Sequence, residues 1–179
     1  WLEFRRVLFR SIMFKVGDLI VYSSHGVCRI YNIREKVFLG EKKNYYEIHP
    51  INDERLFLSV PVEKGDLLLF KMADKSEAED LLNKFNEKGY EWIDNNNERV
   101  KIYTDILKTG KREDISLVLN ALITEGIKLS KIDKKLNEKD KRILSSIEEI
   151  LFEELAYALE ITKEEVKSKI YKIIKSRVK

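Results

Sequence analysis

The sequence predicts an α+β protein, in which a small antiparallel β unit is followed by an all-α bundle of four to five helices. Two observations predict it. Up to about residue 70, apolar and polar residues alternate at the period of a strand between turn signals. From about residue 74, apolar residues recur at three and four. A third observation sets the class: 44% hydrophobic and 36% charged residues with only two prolines in 179 describe a charge-rich globular chain without long disordered linkers.

The β unit opens at Gly17-Asp18, a turn signal, after which Leu19, Val21 and Ser23 alternate with Ile20, Tyr22 and Ser24. Ser23-Ser24-His25-Gly26 is a tight reversal, with Gly26 free to take a backbone angle that other residues resist. A second strand follows from Val27 to Arg34. Lys36 to Lys42 is a hairpin tip with Gly40 in the turn. Lys43 to Ile48 forms the next strand, Pro50 to Arg55 a turn, and Leu56 to Val60 a further strand ending at Pro61. Short strands at this spacing suit a small barrel or meander that covers its edges.

The helical half begins near Asp74 or Ser76, where Leu81, Leu82 and Phe85 mark one face and Glu87-Lys88-Gly89 ends it. Val100, Tyr103 and Leu107 mark a helix lying between Trp92 and Thr109, with Gly110 its cap. Ile115, Val118, Leu119 and Leu122 give the next. Asn137 with Asp140 opens a longer helix whose stripe runs from Ile143 to Leu159. Thr162 to Glu165 is a capping box before Val166, Ile170 and Ile173. Residues 13–70 and 71–179 are therefore expected to be separate domains. Residues 1–12 precede a natural-looking start at Met13 and lack the apolar core and cleavage site of a secretory signal, so a tag or sequencing scar is expected there.

Composition excludes several function classes. The only cysteine is Cys28 and the only histidines are His25 and His49, too few for a cysteine- or histidine-built metal site. Neither a metal nor a cofactor is expected. The chain carries no Gly-rich phosphate loop, no His-Glu-x-x-His and no Gly-x-Ser-x-Gly. Glu148-Glu149 and Glu153-Glu154 fall between apolar helical positions and read as solvated faces, so no enzyme is expected. No apolar run approaches the roughly 20 residues that span a bilayer, and a cytoplasmic monomer with no membrane partner is expected.

Charge is local rather than global. Residues 13–72 hold nine Lys/Arg against eight Asp/Glu, and residues 73–179 hold 22 of each, so nucleic-acid contact would have to come from clusters. One cluster is Lys128 to Arg142, with seven cations against three acids. It is either a solvated loop and helix start or a phosphate-binding surface. Trp92 stands in polar surroundings ahead of a helix, between Tyr90 and Asn95-Asn-Asn97. It is either an aromatic staple or a wedge of the kind that enters a minor groove and unstacks a base step.

The stretch Met13-Phe-Lys-Val-Gly-Asp-Leu-Ile-Val-Tyr-Ser-Ser-His-Gly-Val27, the basic hairpin after it and Val60-Pro-Val-Glu63 resemble the CarD/CdnL family of bacterial transcription regulators. That resemblance implies a Tudor-like β-barrel over residues 13–70 that docks on the RNA polymerase β subunit, a domain shared with transcription-repair coupling factor. It also implies a helical domain that stabilises the open promoter complex through DNA contacts without sequence-specific reading. The hairpin position matched by Lys36 is basic in the family, and Arg34 and Arg55 are the neighbouring polymerase-binding candidates. Where the family has a basic residue before its Val-Pro motif, this chain has Ser59. Trp92, Arg99, Lys101 and Gly110 are similar to the family's DNA-contacting segment, although the basic pair follows its tryptophan directly there and after six intervening residues here. By the match of Leu136 to Leu144, Lys141 and Arg142 become phosphate-contact candidates.

Overall fold

The computed structural model describes residues 14–178, and the segment 1–12 expected to be a tag or scar lies outside them. The chain divides into two compact units, up to Met72 and from Ala73.

The first unit is one antiparallel sheet. Its strands are β1 (Leu19–Tyr22), β2 (Gly26–Phe38), β3 (Glu41–Pro50), β4 (Leu58–Pro61) and β5 (Leu69–Lys71), in the order β4-β3-β2-β1-β5. A 3-10 turn (Val62–Lys64) and one helical turn, α1 (Gly65–Leu68), join β4 to β5. Among the described residues the ladder is open, with β4 and β5 at its edges, rather than the closed barrel anticipated. Phe14, Ile20, Cys28, Ile30, Tyr46, Ile48, Val60 and Leu69 fill the core beneath it.

A bulge in β2 determines which side chains face out. Ile30 pairs with Ile48, yet Asn32 pairs with Glu47, so Tyr31 is the extra residue and side-chain parity flips there. Without the bulge, Asn32, Arg34 and Lys36 would share the core face with Ile30. With it, they turn outward beside Tyr45 and Glu47. At the far end of the hairpin, Leu39 and Gly40 both have positive φ, +50° and +82°, as a two-residue turn of this twist requires.

The second unit holds five helices: α2 (Lys75–Lys84), α3 (Asn96–Thr109), α4 (Arg112–Ser130), α5 (Glu138–Leu159) and α6 (Lys163–Arg177). Their starts follow from local chemistry. Asp74 with Glu77 and Thr162 with Glu165 form full capping boxes, while Asn95 and Asn137 cap α3 and α5. Gly110, in the left-handed conformation, ends α3. Tyr103, Leu119, Leu122, Phe152, Leu155, Val166 and Ile170 lie at the centre of the core.

Two carboxylates expected on solvated faces are buried. Glu154 is 2% exposed, accepts from the Ala73 backbone N–H at 2.8 Å and pairs with Arg112 Nε at 2.7 Å. Burial pushes its carboxyl above the ordinary glutamate value, with Arg112 and the Ala73 N–H pulling it back. Glu153 is also buried. The apolar stripe of α5 is wide because α5 packs against α2, α3, α4 and α6, and these acids fall at its margins.

The segment between α2 and α3 is stapled to α4. Asn120 Nδ2 donates to the Glu87 carbonyl at 2.9 Å, and the Tyr90 N–H donates to the Leu117 carbonyl at 3.3 Å. Gly89 lies so close that an added Cβ would stand 2.6 Å from both the Ala121 nitrogen and the Leu117 oxygen, which are backbone atoms that cannot swing away. Gly89→Ala is expected to cost about 1–3 kcal/mol through overpacking. A fall in melting temperature relative to Gly65→Ala, whose neighbour is only the Tyr46 ring, checks it.

Candidate functional site

In the second unit the site is built where α3 and α5 begin side by side. The Asn95 side chain accepts from the N–H groups of Asn97 and Glu98 at 3.0 and 3.1 Å, which fixes the start of α3. The Asn137 side chain accepts from the Asp140 N–H at 3.0 Å, which fixes the start of α5. Asn137 Nδ2 then donates to Asn96 Oδ1 at 3.1 Å, and Lys139 Nζ to Asn97 Oδ1 at 3.3 Å, so the two helix starts are tied together.

Beneath this polar seam lies a buried ion pair. Arg99 is 3% exposed and Asp140 fully buried. The pair is bidentate, Nε to Oδ1 at 3.1 Å and Nη2 to Oδ2 at 2.5 Å. Nη1 donates to the carbonyls of Ile93 and Asp94, and Nη2 also to Asn96 Oδ1. The five N–H groups of a guanidinium are thus all engaged. The guanidinium also lies over the Trp92 ring, its carbon 4.1 Å from the ring centroid.

Trp92 is partly buried and packs against the helical core while standing in the loop before α3. It also lines a cavity of about 410 Å³ with Tyr90, Thr124, Lys128 and Arg177. Lys101 is exposed. Two residues along a helix are about 200° of rotation, so an inward Arg99 turns Lys101 outward. Arg142 is exposed by the same geometry relative to Asp140, and Lys141 is partly buried with its Nζ 2.7 Å from Glu138.

In the first unit, three cations converge less evenly than the sequence suggests. Lys36 Nζ lies 3.0 Å from Glu47 Oε1, donates to Ser59 Oγ at 2.9 Å and sits over the Tyr45 ring. Arg34 Nε is 3.8 Å from the other Glu47 oxygen, and Asn32 donates to that oxygen at 3.0 Å. The Lys36 hydrogen bond, followed by Asn32 and Arg34, holds the Glu47 carboxyl below the ordinary glutamate value. Arg55 is apart from them, in the loop before β4, with only a local pairing to Asp53 at 3.3 Å. Among the described residues no group of three or more His, Cys, Asp or Glu could hold a metal ion, and no helix is long and apolar enough to cross a membrane.

A family model described as the CarD-like/TRCF RID domain matches residues 14–72, and a model of the CarD C-terminal domain matches residues 80–171. The chain belongs to the CarD-like family. A curated relative from Bacillus subtilis (strain 168), "Putative transcription factor YdeB", is 31% identical over 169 residues, covering 87% of this chain and 99% of the relative. CarD-like proteins are transcription factors with an RNA polymerase-interacting domain, which here is the open sheet of the first unit. They form a transcription-factor family, not a recognised enzyme class.

One expected site residue is buried rather than at the surface. Arg99 is not a surface phosphate contact, because its donors are used and its side chain is buried. Sequence reading overlooked its partner Asp140, together with Asn96 and Glu47. Asp140 carried a signal, being three residues after the capping Asn137. The pairing across 41 residues carried none.

Proposed function

We propose that this CarD-like protein binds the β subunit of RNA polymerase through the outer sheet face around Lys36 and stabilises the open promoter complex with its helical unit. A Tudor-like mode of docking fits a sheet with β4 at one edge and charged anchors beside it. The helical unit then contacts DNA at the upstream edge of the bubble without reading sequence, with Trp92 as the wedge and Lys101, Lys141 and Arg142 at phosphates. The protein shifts promoter opening by binding the open state more tightly than the closed one. Work in a cytoplasm, at the nucleoid through polymerase, and as a monomer completes this reading.

The observation that carries it is the match of both units to CarD-like models, coupled with Trp92 left partly exposed in the loop before α3. A protein-only adaptor is the second reading, favoured by the equal numbers of acids and bases in residues 73–179. Lys101→Glu/Arg142→Glu separates them. The salt dependence of polymerase–promoter binding by this protein should fall by about one unit of slope per lost phosphate contact. An unchanged slope, with polymerase binding intact, would leave the adaptor.

A further inference from the structure

We infer that Arg99 and Asp140 are positioning residues that set the orientation of the Trp92 indole. The inference rests on the reading of Trp92 as a wedge, but its observations concern the free protein. The guanidinium grips Trp92 in two ways at once. Its carbon lies over one face of the ring, 4.1 Å from the centroid, and Nη1 donates to the carbonyl of Ile93, the next residue, at 2.5 Å. Ring and main chain are therefore held from the same group.

That group is itself immobilised. Asp140 binds it by both oxygens from α5, and Asn96 binds it from α3. Asn137, the cap of α5, also donates to Asp140 Oδ2. Orientation of the tryptophan is thus referred to two helices rather than to its own loop. A buried ion pair is a poor source of stability, since its desolvation offsets the attraction, but it fixes geometry through directional bonds that apolar packing does not supply. One face of the indole is covered by the guanidinium, and the ring also packs against the helical core while staying partly exposed. A side chain held in its working conformation before binding loses less freedom on binding.

The test uses the full chain with Trp1→Phe, which leaves Trp92 as the single tryptophan. Arg99→Met/Asp140→Leu replaces the pair by apolar side chains, and such replacement commonly keeps a protein folded. Time-resolved anisotropy should show a fast local component for the indole that is absent in the parent, and acrylamide quenching should rise. Arg99→Lys keeps a charge for Asp140 but loses the guanidinium over the ring, and should gain the same fast component. On a promoter, both variants should lose most of the open-complex effect while binding polymerase as before. Cooperatively unfolding variants with parental anisotropy and quenching would overturn the inference. A failure of the wedge reading shows separately, as an open-complex lifetime that Trp92→Ala leaves unchanged.

Discussion

Asp140→Ala alone, with Arg99 left in place, is expected to destabilise the helical unit by about 3–5 kcal/mol, the cost of stranding a buried charge. Arg99 is 3% exposed, so water does not replace the lost carboxylate. Two of its five N–H groups lose their acceptor, and Asn137 Nδ2 loses one of its acceptors. The two ends of the seam loosen together, because Asn137 also bonds Asn96. Urea denaturation followed by far-UV circular dichroism measures the loss. A change below about 1 kcal/mol, the scale of a surface ion pair, would mean that the pair is solvated and the geometry around it wrong.

Lys36→Glu is expected to weaken polymerase binding by about tenfold or more, the effect of reversing a charge in a partly desolvated anchor. Lys36 is the cation that joins three strands, with Glu47 on β3, Ser59 on β4 and its own β2. Reversal places two carboxylates in contact where Glu47 is 5% exposed. It also leaves Arg34 as the remaining cation beside two acids and removes the donor to Ser59. Arg55→Glu should weaken binding far less, since Arg55 is 94% exposed in its side chain and pairs only with its near neighbour Asp53. Biolayer interferometry against polymerase, with melting curves to show that the sheet persists, measures both. Equal effects from the two variants would place docking elsewhere on the unit.

These predictions show what the chain made legible and what it did not. The change of apolar period and the caps at Asp74, Asn137 and Thr162 are local signals, readable over a few residues, and they led to the α+β class and to most helix starts. Gly110 announced the end of α3 for the same reason. Sheet closure was not legible, because pairing of edge strands depends on twist and on the turns between them. Nor was the face on which Lys36 lies, which follows from one extra residue at Tyr31. Arg99 was expected at the surface with Lys101, from the resemblance to the family's segment, and the structure buries it. Helical rotation separates them by more than half a turn, and the acid that draws Arg99 inward is far away in sequence. Glu153 and Glu154 were misjudged similarly, since a wide buried stripe on α5 needs four helical neighbours that no local pattern specifies.

On the proposed function, binding to polymerase is converted into a longer-lived open complex through Trp92. The direct measurement is open-complex lifetime on a ribosomal-type promoter with cognate RNA polymerase, comparing no protein, wild type and Trp92→Ala. The account predicts a longer lifetime with wild type and loss of most of that gain with Trp92→Ala, which should still bind polymerase. A wild-type protein that binds polymerase and leaves the lifetime unchanged would contradict it.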